Sequence, residues 1–191
     1  AVINAAAYTA VDRAETDAAT AQVVNGDSPG AMAQACAAQG IPFLIVSTYF
    51  VFDGKGTAPF APTDPVAPQN AYGRSKLVGE NAVRDSGARH VILRTSWVFS
   101  ALGNNFVKTM LRLMKEKENI NVVNDQFGCP TYAGDLALRL MQLLQYYSVH
   151  GCLNYSVYHL SGTPAVSWYQ FAHAIAASHN LQAKVAPTST A

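Results

Sequence analysis

Apolar and polar positions along the chain fall into two regimes, short β-branched runs and longer alanine-rich stretches of helical period. Val2 to Ala6 reads as a strand entering a turn at Tyr8-Thr9. Asp17 to Asn25 has helical composition, and Ser28-Pro29 predicts the N-cap and first turn of a separate helix ending near Gly40. Pro42 to Ser47 (PFLIVS) and His90 to Arg94 (HVILR) are continuous apolar runs, the pattern of strands buried on both faces. Between them, residues 53–70 are rich in proline and predict a long surface loop, after which Ala71 to about Asp85 is helical. Phe106 to Glu118 predicts a helix with Phe106, Met110, Leu113 and Met114 on one face, and Ile120 to Val123 a short strand. Asp135 to Tyr146 and Ser167 to Ser178 predict two more helices. The second opens on a Ser167…Gln170 capping box and carries a Trp168, Phe171, Ala172, Ile175 core stripe. Met110, Met114 and Met141 fit core positions. Buried strands separated by helices predict an α/β fold, a doubly wound parallel sheet covered on both sides.

Composition narrows the function classes. The 191 residues suffice for one ordinary domain or a domain and a fragment, and half are hydrophobic, so a sizeable core is expected. A net charge of +1 with scattered basic residues argues against a nucleic-acid partner or an anionic lipid surface, and no apolar run is long enough to span a bilayer. Three cysteines without a Cys-x-x-Cys argue against a disulfide framework. With no signal-peptide pattern at Ala1 to Ala7, the expected location is cytoplasmic. An open nucleotide-binding sheet normally begins with a strand, a Gly-rich turn and a helix, yet no G-x-G-x-x-G occurs and the chain opens inside a strand. The sequence is therefore read as an N-terminally truncated piece of such a fold.

Tyr72-Gly-Arg-Ser-Lys76 places a phenol and an ammonium one helical turn apart on one face. A cation beside a phenol lowers a pKa that otherwise sits near about 10, so the tyrosine could exchange a proton with a carbonyl or alcohol oxygen. Nine tyrosines and six lysines supply roughly a quarter of one such match by chance, so spacing alone is weak. Position adds to it. Thr48 ends the PFLIVS strand, and the Ala5-Ala6-Ala7-Tyr8-Thr9 turn and Thr95-Ser96-Trp97 end two others, where reactive groups of parallel sheets collect. Small residues at Ala5 to Ala7 would let a flat cofactor approach the main chain, or would simply pack tightly.

The ordered blocks Asn4-Ala-Ala-Ala-Tyr-Thr-Ala-Val-Asp12, Ser47-Thr48, Val51-Phe-Asp-Gly54, Tyr72-Gly-Arg-Ser-Lys76, Arg94-Thr-Ser-Trp-Val98, Gly103-Asn-Asn-Phe106, Asn124-Asp-Gln-Phe-Gly128 and Pro130-Thr131 closely resemble the dTDP-4-dehydrorhamnose reductase family. That family belongs to the extended short-chain dehydrogenase/reductases. The resemblance implies a Rossmann-like fold and reduction by NADPH or NADH of the 4-keto group of a dTDP-linked 6-deoxyhexose. It implies that Tyr72 donates the proton, Lys76 holds the ribose hydroxyls, and Thr48 bonds the substrate oxygen. Ala5, Ala6, Ala7 and Thr9 would line the cofactor, and Trp97 would pack against the sugar. Tyr49, where the family has an aspartate, would face substrate hydroxyls. Residues 1–150 would form a partial cofactor-binding domain and 151–191 part of a sugar-nucleotide region, with a homodimer left open. The family's metal-binding glutamate is not matched near Gly134, so no metal is expected. Two other classes share parts of the pattern. One is a non-catalytic relative resembling the methionine adenosyltransferase regulatory subunit; the other is a sugar-nucleotide epimerase or dehydratase. The RTSWV and GNNF blocks discriminate against the first, and the lack of carboxylates after Thr48 against the second.

Overall fold

A computed structural model describes residues 1–56 and 58–190. In chain order its elements are β1 (Val2–Asn4), α1 (Ala18–Gln22), α2 (Ser28–Ala38), β2 (Phe43–Thr48), α3 (Ala71–Asp85) and β3 (His90–Thr95). Then come β4 (Val98–Phe99), α4 (Phe106–Glu116), β5 (Asn119–Val123), β6 (Phe127–Gly128), β7 (Thr131–Tyr132) and α5 (Ala133–His150). β8 (Val157–His159), β9 (Val166–Ser167), α6 (Trp168–Ser178) and β10 (Lys184–Thr188) complete the chain. Two compact units interleave: residues 1–95 with 140–160, and residues 96–139 with 161–191.

The first unit is built on a four-stranded parallel sheet of order β1-β2-β3-β8, in which Thr48 stands beside Thr95. Phe43, Ile45 and Ile92 pack with Ala33, Cys36 and Val83 of α2 and α3 on one face. Leu44, Val91 and Leu93, which alternate to the other face, are buried as well. The two apolar runs are thus central strands covered on both sides. β1 stops at Asn4, short of the expected Ala6, because the Asn4 side chain accepts from the Ala6 N–H at 3.0 Å and turns the chain.

Ser28 does not cap a separate helix. Val23–Asp27 forms a π turn that joins α1 to α2, Ser28 is itself helical, and its hydroxyl donates back to the Val23 carbonyl at 2.7 Å. Pro29 has no N–H to offer the carbonyl one turn behind, and the wider turn accommodates it without ending the helix. Among the described residues of 53–70 there is neither helix nor strand, and Thr57 lies outside them. Several contacts tie this loop down. Phe60 stacks on Phe52 at 4.4 Å, the Pro62 carbonyl accepts from Arg94 at 3.2 Å, and the Phe60 carbonyl lies 3.1 Å from the His159 ring.

The second unit holds a core of Met110 and Met114 from α4, Ile120 and Val122 from β5, and Ala172 and Ile175 from α6. Trp168 and Phe171 pack against it, so the stripe on α6 faces the core, and both bonds of the Ser167–Gln170 capping box form. α4 ends at Glu116, two residues early, and α5 overruns its expected limits at both ends. Met141 is 59% exposed, outside the core. β10, unmarked in the sequence because of Pro187, pairs in parallel with β5; a two-stranded sheet has only edges, where proline is tolerated.

Candidate active site

The site grows from one face of α3. Asn70 caps the helix by accepting from the Gly73 N–H at 2.7 Å. Tyr72, Lys76 and Glu80 then follow at four-residue spacing, so all three fall on the stripe that meets the ends of β2 and β3. Gly73 and Gly79 let the helix come close: a Cβ at Gly73 would overlap the Phe50 carbonyl, and one at Gly79 the Asn25 carbonyl.

Thr48 is buried at the carboxyl end of β2, and its hydroxyl accepts from the Phe50 N–H at 3.2 Å and influences the Tyr72 phenol. The Phe50 ring meets the Tyr72 ring edge-on at 5.7 Å and stacks on Tyr49 at 4.6 Å. Burial raises the Tyr72 phenol above its ordinary pKa, Thr48 pulls it down, and neighbouring Tyr49 pushes it up; the net direction is upward. The expectation of a phenol lowered by Lys76 is therefore corrected. The Lys76 ammonium donates instead to the Val46 carbonyl at 2.8 Å. Burial pushes Lys76 down to about 8, against the pull of Glu80. A phenol that stays protonated near neutrality is suited to give a proton rather than to take one.

Beneath this face lies a buried ionic cluster that motif reading missed. Glu80, wholly buried, accepts from Ser47 (2.6 Å), from Arg94 Nε (3.0 Å) and Nη2 (2.7 Å), and from Arg84 (2.8 Å). Burial works against its charge, but the bonds from Arg94 and Ser47 outweigh it and hold the carboxyl below its usual value. Asn25 was also missed. Its side chain accepts from the Tyr8 N–H (2.8 Å) and donates to the Tyr8 carbonyl (3.0 Å) and to Ser75 (3.0 Å), tying the 5–9 turn to α3.

The structure places Ala5, Ala6 and Thr9 exposed and Ala7 half-buried after β1, with Thr48, Tyr49, Tyr72 and Lys76 in the same unit. Trp97 belongs to the second unit. There it has a left-handed φ of 45°, its ring stacks face to face on Trp168 at 3.4 Å, and a Cβ on Gly128 would strike its indole. Among the described residues no group of three or more His, Cys, Asp or Glu could hold a metal ion, and no helix is long and apolar enough to cross a membrane.

A parallel α/β sheet of Rossmann type, with a Tyr–Lys helix and a threonine at its carboxyl rim, defines the class. Residues 1–191 match the family described as RmlD substrate binding domain, and the chain belongs to that family. It is 46% identical over 189 residues to a dTDP-4-dehydrorhamnose reductase of Burkholderia thailandensis, covering 97% of this chain and 63% of that protein. The structure of a dTDP-4-dehydrorhamnose reductase from Clostridium acetobutylicum superposes with a TM-score of 0.93 at 39% identity, over 99% of this chain and 65% of that one. That of the Bacillus anthracis reductase in complex with NADP gives 0.92 at 40% identity, over 98% and 66%. The chain thus spans less than two thirds of the length of the curated relative and about two thirds of the solved ones.

Proposed function

We propose that the protein carrying this chain reduces the 4-keto group of dTDP-4-dehydro-6-deoxy-L-mannose to dTDP-L-rhamnose, using NADPH or NADH. The observation that carries this reading is the Tyr72 phenol, buried and within the influence of Thr48 at the end of β2, with Lys76 one turn along the same helical face. The names of similar proteins and the NADP complex of one of them support it.

The residues suit a nicotinamide dinucleotide. Ala5 and Ala6 are exposed with nothing beyond Cβ, so a planar group can lie on the main chain after β1, and Ala7 and Thr9 extend the same turn. Bound there, the cofactor supplies the hydride. Tyr72 gives its proton to the C4 oxygen, and its raised pKa keeps that proton in place until the oxygen gains charge. Thr48 turns its single O–H to the same oxygen. Lys76, an ammonium held on the Val46 carbonyl, has further N–H donors for the ribose hydroxyls. Trp97 lines the sugar. Tyr49, in place of an aspartate, offers a neutral phenol; losing a charge-assisted bond of about 1.5–3 kcal/mol weakens sugar binding roughly ten- to hundredfold.

Cofactor binding falls to the first unit. Residues 151–191 contribute part of the sugar-nucleotide region, together with Thr48, Tyr49 and Trp97 from residues 1–150. The reading places the protein in the cytoplasm, with no nucleic-acid partner, no metal, and a homodimer left open.

The test is NADPH oxidation with the dTDP-sugar, read by absorbance. Tyr72→Phe is expected to slow turnover by about 10²–10⁴ while KM stays near the wild-type value. Wild-type turnover in Tyr72→Phe would overturn the reading.

A further inference from the structure

Three positions on the active face of α3 each have a partner on the sheet. Tyr72 feels Thr48, Lys76 bonds the carbonyl of Val46, and Glu80 bonds Ser47 and, through two oxygens, Arg94. Val46, Ser47 and Thr48 are consecutive residues of β2, so the helix is pinned to the strand at each step of one short segment. Glu80 is the deepest of these ties, fully shielded from water, and it alone of the three extends the connection to β3. Movement of Glu80 would shift Ser47 and with it the neighbouring Thr48 hydroxyl.

Glu80 also has an electrostatic consequence one turn away. Lys76 is 3% exposed and its ammonium touches a carbonyl, not a carboxylate. β2 presents the Val46 carbonyl to it, and Glu80, one turn along its own helix, favours the charged ammonium while itself taking bonds from Arg94 and Arg84.

We propose that Glu80 is a positioning residue for the Tyr72–Lys76 pair, one that fixes α3 against β2 and β3 through Ser47 and Arg94 and sets the electrostatic environment of the Lys76 ammonium. Its meaning for catalysis rests on the reductase reading. The coupling itself does not, and can be measured without substrate or cofactor.

The experiment uses the chain with ¹³C-labelled lysine, following the Cε signals against pH. Six lysines contribute, and burial sets Lys76 apart by pushing it down to about 8. Its signal is assigned by its loss in Lys76→Arg. In Glu80→Gln the Lys76 midpoint is expected to fall by about one pH unit or more, leaving a largely neutral amine at about pH 7.5. Glu80→Asp, which keeps the charge but shortens the reach, should leave the midpoint close to wild type. Should the Glu80→Gln change prevent folding by leaving Arg94 unpaired, the double variant E80Q/R94Q is compared with R94Q, so that the loss of Glu80 is read with Arg94 absent from both, and the fall is expected between those two. A Lys76 midpoint unmoved in a folded Glu80→Gln chain, or unmoved between R94Q and E80Q/R94Q, overturns the proposal while leaving the reductase reading intact. A fall in that midpoint with Tyr72→Phe fully active would sustain this coupling and sink the reductase reading instead.

Discussion

The Lys76 ammonium lies 2.8 Å from the main-chain oxygen of Val46, two residues before Thr48 on β2. Burial outweighs the pull of Glu80 and brings Lys76 down to about 8. In the unfolded chain it returns to about 10.4, so between these values the unfolded state holds a proton that the folded state has released. Stability contributed by this group therefore rises with pH from about 8 to about 10.4, by roughly 3 kcal/mol in all. The penalty for burying the ammonium is complete below that window. Urea melts of wild type and Lys76→Met across the range should diverge by this trend, with the methionine variant lacking the rise.

Two ion pairs in the molecule should behave very differently. Arg94–Glu80 is 3% and 0% exposed, whereas Arg112–Glu116 is 62% and 52% exposed. Arg94→Met takes two of the bonds from the buried Glu80 carboxylate and is expected to cost about 3–5 kcal/mol. Arg112→Ala should cost no more than about 0.5 kcal/mol. Chemical denaturation of both variants decides this. Glu80 adds an acid limb. Its folded value is depressed, so its contribution is fully present above the unfolded value of about 4.3 and is lost as pH falls through the lower folded value.

Gly73→Ala and Gly79→Ala should reverse the usual helix preference. At an exposed helix-interior site alanine stabilises by about 1 kcal/mol over glycine. Here the added methyl meets the carbonyl of Phe50 or of Asn25. A destabilisation of about 1–3 kcal/mol is expected for each, read as a fall in the thermal midpoint. Gly73→Ala should also reduce turnover, because it moves Phe50 against the Tyr72 ring.

Trp97 and Trp168 are the two tryptophans of the chain and lie face to face with planes 9° apart. Such a pair couples its transitions and should give an exciton feature in circular dichroism. Trp168→Phe should remove it. Trp168→Ala should cost about 3–5 kcal/mol and release the Trp97 ring from its left-handed backbone position.

Tyr72 and Lys76 were legible because four-residue spacing on a helix needs no tertiary knowledge, and Thr48 because buried apolar runs mark strands and strands have ends. Their relation was misjudged. Sequence put the ammonium beside the phenol, but the carbonyl of Val46 is the nearer partner, and burial moved both pKa values in directions that spacing could not indicate. Glu80 and Asn25 carry no motif that names a partner; Ser47 lies 33 residues from Glu80 and Ser75 lies 50 from Asn25.

The sequence by itself determined the alternation of strand and helix, the small residues that let α3 approach its neighbours, and the residue types available at the carboxyl rim. These follow from local periodicity and side-chain size, which each segment expresses alone. Tertiary structure decided which groups lose water and which oxygen each donor meets. The joining of α1 to α2 through a π turn and the docking of the 53–70 loop on Arg94 and His159 were decided there too. Hydrogen-bond partners and charge environments depend on distances between segments far apart in the chain, and only packing sets those distances.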